Sequence, residues 1–200
     1  RPQAPFTTSK LQQEAYNRLG FPAAKTMRVA QKLYEGVELG DEGAVGLITY
    51  MRTDSVTLAV SAQQEISEYI TQQFGKQYLP EKPPFYKSKK GAQEAHEAIR
   101  PTSIKRTPES IKGYLESDEF KLYDLIWKKA IASQMMPAID EQMTVSIIAG
   151  AQYFFKTTGR RNLFPGFALV YEAPSTAGLK KEEEEDEDSE KAVSSDTLPL

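Results

Sequence analysis

The chain is organised around the stretch Gly46-Leu47-Ile48-Thr49-Tyr50-Met51-Arg52-Thr53-Asp54-Ser55. An apolar run typical of a β-strand leads directly into a tyrosine, an arginine and small side chains that carry oxygen. Because the side chains of a strand alternate between its two faces, we expect Tyr50 and Arg52 to share a face. A fixed cation favours the phenolate of a nearby tyrosine and also binds phosphate, which fits covalent phosphoryl transfer. The residue types alone favour a simpler interpretation, a core tyrosine beside a surface arginine.

The composition is that of an ordinary globular protein, and it excludes several kinds of site. Of the 200 residues, 40% are hydrophobic and 26% are charged, enough for one large domain or two small ones. The absence of cysteine excludes disulfides, thiolate zinc sites and cysteine nucleophiles. No apolar run is long enough to cross a membrane, and the N-terminus lacks a signal-peptide pattern. This composition fits an intracellular protein with no membrane partner.

The net charge of −3 hides an uneven distribution of charged residues. Eight of the 28 acidic residues lie within 182–190, so the remainder of the chain has 25 basic and 20 acidic residues, a net charge of +5. A mildly basic body permits a surface that binds phosphate. Residues 173–196 are strongly acidic and poor in apolar side chains, which predicts disorder there.

Hydrophobic periodicity predicts a helical region followed by a β region. Helices are expected over 9–19, 22–35, 61–74 and about 118–135, with capping patterns at Ser9 and Ser61. Loops are expected over 37–46 and 76–92, and alternation predicts strands over 143–148 and 152–159. The predicted fold class is α+β: a mainly helical domain with a small strand element over 10–136, an entry segment over 1–9, and a partial antiparallel β domain over 137–200. Thr197-Leu198-Pro199-Leu200 resembles a strand cut short, so we expect the chain to be a fragment.

The predicted loop over 76–92 interleaves aromatic residues with lysines and ends in Lys87-Ser88-Lys89-Lys90-Gly91. Such a composition suits single-stranded nucleic acid, because bases stack on aromatic rings while phosphates pair with cations. An exposed loop without a partner fits the same residues equally well.

The second informative stretch runs from Ala92 to Thr102 and contains His96, the one histidine of the chain. Arg100 lies one helical turn later and therefore on the same side of a helix, before Pro101 stops the run. His96 could carry a proton or donate to a phosphate near neutral pH, although a lone histidine is more often a structural hydrogen-bonding group. A zinc site of the two-histidine type is excluded because there is no second histidine.

Two long motifs in this order resemble the bacterial DNA topoisomerase I family, the type IA topoisomerases. They are Thr49-Tyr50-Met51-Arg52-Thr53-Asp54-Ser55 and Gln93-Glu94-Ala95-His96-Glu97-Ala98-Ile99-Arg100-Pro101-Thr102. The opening run from Ala4 to Ala15 is also similar, as is Leu125-Ile126-Trp127 before Gln134-Met135. The similarity extends from the start of the chain to about residue 171.

The resemblance implies a role for each motif residue. Tyr50 matches the nucleophile, which would attack a DNA phosphodiester, form a 5′-phosphotyrosine and reseal the strand without ATP. Arg52 matches the residue that holds the scissile phosphate. His96 matches a histidine that lines the DNA site, and Arg100, Thr53 and Asp54 are expected to contact DNA. The expected partners are single-stranded DNA and the remaining domains of a longer chain, in the bacterial cytoplasm at the nucleoid.

The resemblance is incomplete, and this limits what is expected of the chain by itself. The acidic Toprim domain that binds Mg²⁺ in this family has no counterpart in the sequence, so Mg²⁺ is expected only in the full-length enzyme, with no cofactor in this chain. We therefore expect little or no relaxation of supercoiled DNA by the chain alone. Three alternatives stay open: a non-catalytic module that binds single-stranded DNA, a tyrosine enzyme of the recombinase type, and a structural hinge module.

Overall fold

The computed structural model describes residues 1–87, 97–150 and 153–171. Within these ranges the α-helices are α1 Thr8–Leu19, α2 Ala23–Glu35, α3 Val60–Phe74, α4 Pro108–Ile111 and α5 Ser117–Ala132. The strands form two antiparallel pairs, β1 Val37–Glu38 with β2 Ala44–Val45 and β3 Ile139–Ala149 with β4 Tyr153–Phe164. Short 3-10 helices occupy Gly40–Glu42, Lys76–Tyr78, Lys112–Tyr114 and Gly166–Leu169. The predicted α+β class is confirmed, whereas the loops predicted over 37–46 and 76–92 contain β1, β2 and two of the 3-10 helices.

The helices begin and end near the predicted residues, but their caps differ. The cap of α1 is Thr7 rather than Ser9, and its hydroxyl accepts a hydrogen bond from the backbone N–H of Lys10. The other end of α1 is closed by Gly20, whose φ of 66° is readily adopted by glycine. The cap of α3 is Ala59 rather than Ser61, and no side chain caps that helix. The last helix, α5, ends at Ala132, about one turn earlier than predicted.

The core lies between α1, α2, α3 and α5, and the segment 46–58 runs through it. Its fully buried side chains include Phe6, Leu11, Leu33, Leu47, Ile48, Met51, Ile70, Ile99, Tyr123 and Ile126. Two core aromatics of α5 have their polar atoms satisfied: the Tyr123 hydroxyl donates to the carbonyl of Arg106 at 2.6 Å, and the Trp127 indole N–H donates to the carbonyl of Ile104 at 3.1 Å. These bonds fix the 104–106 loop against the helix that faces the central segment.

The central segment 46–55 bends at Thr49 and Met51 and is not the regular strand that its sequence predicts. Within the described chain, its one β-bridge pairs Ile48 with Pro101. Proline has no N–H to donate, so a continuous ladder cannot pass this point. The segment is held instead by separate hydrogen bonds to α2, to residues 98–102 and to Thr8.

The strands β3 and β4 form a long ribbon that runs from the pair Ile139–Phe164 to the pair Ala149–Tyr153. The two predicted strands are confirmed in type and are longer than predicted. Most side chains of the ribbon are exposed to solvent in the described structure. Its base joins the helical body where the rings of Tyr78 and Phe164 lie 4.8 Å apart.

The first nine residues and the segment 166–171 both pack on the helical body. Phe6 is fully buried and pairs with Ile99, while the nearly buried Tyr171 donates a hydrogen bond from its hydroxyl to Glu14 of α1 at 3.0 Å. The domain boundaries drawn from the sequence after residues 9 and 136 therefore stay predictions. The acidic segment 173–196 and the C-terminal Thr197–Leu200 lie outside the described residues.

Candidate active site

The segment that follows Thr49 alternates strictly between exposed and buried side chains. Tyr50, Arg52 and Asp54 are exposed, with 47% of the tyrosine surface accessible. The intervening side chains are buried: Met51 is 1% exposed, Thr53 8% and Ser55 3%. The prediction that Tyr50 shares a face with Arg52 is therefore confirmed, although the segment is not a regular strand. Asp54 lies in the same exposed row.

The exposed side chains in this row are free to meet a ligand. Within residues 1–87, 97–150 and 153–171, no hydrogen bond or ion pair joins the side chains of Tyr50, Arg52 or Asp54 to another group. The ring of Tyr50 makes one aromatic contact, with Tyr34 near the end of α2, at 5.3 Å between centroids and an interplanar angle of 61°. This edge-to-face contact supports the ring and leaves the hydroxyl available.

The beginning of the segment is anchored to α2 and to residue 102. The N–H of Leu47 donates to the carbonyl of Leu33 at 2.7 Å. The hydroxyl of Thr102 donates to the carbonyl of Gly46 at 2.7 Å. A Cβ at position 46 would lie 2.7 Å from the carbonyl oxygen of Tyr34, so the close approach of α2 requires glycine there.

The residue before the tyrosine is held by the stretch 98–100. The N–H of Thr49 donates to the carbonyl of Arg100 at 2.9 Å, and its hydroxyl donates to the carbonyl of Ala98 at 2.7 Å. The same hydroxyl accepts from the N–H of Arg100 at 3.0 Å. The two sequence motifs are thus joined directly, with Thr49 in contact with the backbone of the second motif.

The residues on either side of Arg52 are both held by Thr8, the first residue of α1. The Thr8 hydroxyl donates to the carbonyl of Met51 at 2.8 Å and accepts from the N–H of Thr53 at 2.8 Å. The N–H of Thr8 also donates to the carbonyl of Thr53 at 2.9 Å. The backbone that carries Arg52 is therefore fixed from both sides.

Sequence reasoning missed the hydrogen bonds by which the hydroxyls of Thr8 and Thr49 join backbone groups of separate segments, which we call the threonine clasps. Thr49 belongs to the quoted motif but has no chemistry that would single it out. Thr8 is distant in sequence, and the only signal was the run Pro5-Phe6-Thr7-Thr8 at the start of α1. A hydroxyl that bridges backbone groups leaves no periodic pattern in the sequence.

Two residues expected to contact DNA have protein partners instead. Thr53 is buried, and its hydroxyl accepts from the N–H of Ser55 at 3.1 Å. The Arg100 side chain is 13% exposed and forms an ion pair with Glu97, with Nη2 and Oε2 2.8 Å apart. The other Glu97 oxygen accepts from the N–H of Ala59 at the start of α3, at 2.6 Å. This geometry gives Thr53 and Arg100 structural roles and lends no support to direct DNA contact.

His96 lies outside the described residues, as do Ser88 to Gly91 of the aromatic and lysine-rich loop. In the described part of that loop, one aromatic side chain is hydrogen-bonded to the protein and another is exposed. Tyr86 donates from its hydroxyl to the carbonyl of Ser133 at 2.7 Å, and burial raises its pKa to about 12. Phe85 is 89% exposed and is available for stacking.

A cavity of about 500 Å³ opens beside Asp54, between the N-terminal residues, α1 and α5. Its charged lining residues are Lys10, Glu14, Asp54, Lys87 and Lys129. The exposed row that begins at Tyr50 therefore ends at a cavity rich in lysine.

The described ranges contain no group of three or more histidine or acidic side chains placed to hold a metal ion. The residues of this site accordingly do not fit the Mg²⁺ that the family resemblance implies for the full-length enzyme. The helices of these ranges also include none that is long and apolar enough to span a membrane.

Comparison with known proteins identifies the relatives of this chain. A family model described as DNA topoisomerase matches residues 1–198. DNA topoisomerase 1 of Xylella fastidiosa (strain 9a5c) is 54% identical over 173 residues, which cover 86% of this chain and 21% of the relative. DNA topoisomerase 1 of Rickettsia prowazekii is 52% identical over 188 residues, which cover 93% of this chain and 24% of the relative.

A solved structure shows the same fold. Full-length topoisomerase I from Thermotoga maritima superimposes with a TM-score of 0.76 at 44% sequence identity, over 86% of this chain and 27% of that protein. The chain thus spans between a fifth and a quarter of the length of these curated relatives.

Proposed function

Since the chain belongs to the bacterial DNA topoisomerase I family, the type IA topoisomerases, we propose that it carries the tyrosine that breaks and rejoins one strand of DNA. The observation that carries the proposal is the exposed row of Tyr50, Arg52 and Asp54 on a segment whose alternate residues are anchored in the core. These three side chains have no polar protein partner in the described ranges, so they are available to a phosphodiester.

Tyr50 acts as the nucleophile in this proposal. Its phenolic oxygen attacks phosphorus, a new P–O bond forms to the tyrosine, and the bond from phosphorus to the 3′ oxygen of the neighbouring nucleotide breaks. The phenol loses its proton to solvent and the leaving 3′ oxygen takes one up, so a 5′-phosphotyrosine and a 3′-hydroxyl result. One phosphoester replaces another, and the reverse reaction therefore reseals the strand without ATP.

Arg52 holds the reacting phosphate. Its guanidinium can bind two phosphate oxygens at once, and such a bond strengthens as negative charge builds on them in the transition state. The clasp by Thr8 fixes the backbone on both sides of Arg52 before substrate arrives. Catalysis gains from this arrangement because a prepositioned group loses little freedom on binding.

The proposal for the whole protein goes further: nicking of one strand, passage of another and relaxation of negative supercoils. Its magnesium would bind residues outside this chain, and none of the steps above is routed through it. DNA as substrate also places the activity at the bacterial chromosome. The chain by itself is expected to give little relaxation, because it spans less than a quarter of the length of the curated relatives described above.

A second candidate is a module that binds single-stranded DNA without chemistry. The observation in its favour is the side chain of Phe85, which is 89% exposed close to Lys87, as expected for a stacking contact. The two candidates differ in one result, since only the first leaves protein covalently attached to DNA.

The test is covalent capture in a protein that joins this chain to the regions its relatives carry outside it. Single-stranded DNA labelled at its 3′ end is incubated, the reaction is stopped with denaturant, and labelled protein is counted. The wild type should retain the 3′ label and release a 5′ label, because the tyrosine keeps the 5′ phosphate of the downstream piece. Tyr50→Phe should abolish the adduct, whereas Tyr16→Phe, which alters an exposed tyrosine of α1, should not. An adduct that survives Tyr50→Phe would exclude Tyr50 as the nucleophile.

A further inference from the structure

The cavity beside Asp54 contains a lysine in an unusual setting. Lys129 projects from α5 and is only 4% exposed. Its ammonium group donates to the side-chain oxygen of Gln3 at 2.9 Å and lies over the rings of Phe6 and Tyr171, 5.2 and 4.7 Å from their centroids. None of these partners carries a negative charge, so the lysine charge is not neutralised by the groups in contact with it.

The nearest carboxylate is already engaged elsewhere. Glu14 of α1 accepts from Arg18 at 2.8 Å and from the hydroxyl of Tyr171 at 3.0 Å. Burial opposes ionisation of Glu14, but these two hydrogen bonds hold its pKa below its ordinary value. Burial likewise lowers the pKa of Lys129, to about 8, against the opposing attraction of Glu14. The ammonium form therefore lacks full compensation from its surroundings.

Other lysines add to the positive charge of the cavity. Lys10 at the start of α1 and Lys87 also line it, and Asp54 is the carboxylate at its rim that has no cationic partner in the described chain. Glu14 is offset by Arg18. Three lysines against one unpaired carboxylate leave a positive surplus, which suits an anion with several oxygens.

The position of the cavity relative to Tyr50 decides which phosphate of a bound strand could reach it, since Asp54 lines the cavity and Tyr50 does not. Tyr50 and Asp54 are four residues apart, which is at most about 13 Å at the rise of a strand, and the chain bends between them at Met51. The scissile phosphate lies at Tyr50 and Arg52 under the proposed function. A group that reaches the cavity therefore belongs to a neighbouring nucleotide and not to the linkage that is cut.

We propose that this cavity binds a flanking phosphate of single-stranded DNA, with Lys129 at its floor and Lys10 at its mouth. The inference rests on the proposed function for the presence of a DNA strand at Tyr50. The phosphate supplies the negative charge that Lys129 lacks, and the rings of Phe6 and Tyr171 orient the ammonium toward it. The contact holds the strand in register while the tyrosine linkage is broken and remade.

The experiment measures binding of fluorescent oligo(dT) to the 200-residue chain by anisotropy over a series of salt concentrations. Each phosphate contact contributes about 0.7 to the slope of log affinity against log salt for single strands. Lys129→Gln should lower the slope by about that amount and weaken binding about tenfold at low salt. Lys10→Gln should also lower the slope, and because Lys10 is exposed, this variant tests the site even if Lys129→Gln does not fold.

The matched control is Lys121→Gln, an exposed lysine two turns earlier on α5 that does not line the cavity. It should leave both affinity and slope at their wild-type values. The inference is overturned if the Lys10 and folded Lys129 variants bind with the wild-type slope, if Lys121→Gln lowers the slope as much as they do, or if the wild-type chain does not bind oligo(dT). None of these outcomes bears on covalent capture at Tyr50, so failure of the cavity and failure of the proposed function are separable.

Discussion

Removal of the Thr8 clasp should lower both the stability of the chain and the rate of covalent DNA capture. Thr8→Val keeps the shape and β-branching of the side chain but removes its hydroxyl. The hydroxyl lies 2.8 Å from the carbonyl oxygen of Met51 and 2.8 Å from the N–H of Thr53. The change therefore leaves the Thr53 N–H without that acceptor and one carbonyl with a bond fewer.

The expected cost follows from these two bonds. An unsatisfied buried donor costs about 1–3 kcal/mol, and the lost bond to the carbonyl adds about 0.5–1.5 kcal/mol. The half-buried position of Thr8 allows water to compensate in part, so we expect Thr8→Val to lower the free energy of unfolding by about 2 kcal/mol. Thr8→Ser keeps the hydroxyl and should cost less than about 1 kcal/mol.

Urea unfolding of the 200-residue chain measures this difference. Thr8→Val should shift the midpoint to lower urea with an unchanged m-value, and covalent capture of DNA in the longer protein should slow because Arg52 is no longer held on both sides. Thr8→Ser should stay close to wild type in both assays. Equal midpoints for the valine and serine variants would show that the clasp does not stabilise the segment, and the argument for a prepositioned Arg52 would fail with it.

Three further predictions concern other contacts of the site. Tyr34→Ala removes the edge-to-face support of Tyr50 and should reduce covalent capture several-fold, whereas Tyr34→Phe keeps the ring and should not; equal rates for both would refute a positioning role. Gly46→Ala places a Cβ 2.7 Å from the Tyr34 carbonyl oxygen and should cost about 1–3 kcal/mol in urea unfolding, while Gly113→Ala, with open space around it, should be nearly neutral. The pKa of Lys129 is about 8 in the folded protein, against an ordinary value of 10.5 in the unfolded chain. Between these two pH values the unfolded chain binds more protons than the folded protein, so the contribution of Lys129 to the free energy of unfolding should rise with pH. Lys129→Met should raise stability at pH 7 by up to about 3 kcal/mol, and this advantage over the wild type should shrink between pH 8 and 10.5; an advantage that stays constant over this range would contradict the assignment.

The sequence predicts the helices well because their signal is local. The helices predicted over 9–19, 61–74 and about 118–135 are present as α1, α3 and α5, and their apolar faces bury Leu11, Ile66 and Tyr123. Tyr16 of α1 directly follows the buried Ala15, yet it is 65% exposed. A tyrosine tolerates solvent through its hydroxyl, so periodicity cannot decide its environment. The observed helix ends differ from the predicted ones by one to three residues, and the cap of α1 is Thr7 rather than Ser9.

The candidate site is predicted only in part, for a similar reason. Alternation along the segment correctly places Tyr50 and Arg52 on one face, because that property belongs to a few consecutive residues. The anchors Thr8, Thr49 and Thr102 come from three separate parts of the chain, and nothing in their own sequence indicates the backbone groups they bind. The partner of Arg100 was also missed, since an ion pair with Glu97 in the same motif competes with the DNA contact expected for the arginine.

A segment that carries reactive side chains must be held firmly and must also present those side chains to a ligand. In residues 50–55 these two tasks fall to alternate residues. The odd-numbered residues Met51, Thr53 and Ser55 are buried and bear on stability, while the even-numbered Tyr50, Arg52 and Asp54 have no polar protein partner in the described ranges. A regular central strand would satisfy its backbone through neighbouring strands on both sides and would leave less room for a DNA backbone to approach. Side-chain hydroxyls and single backbone hydrogen bonds from other parts of the chain satisfy these groups instead. Under the proposed function, this irregular segment keeps the nucleophile Tyr50 at the surface while its neighbours Met51 and Thr53 stay buried.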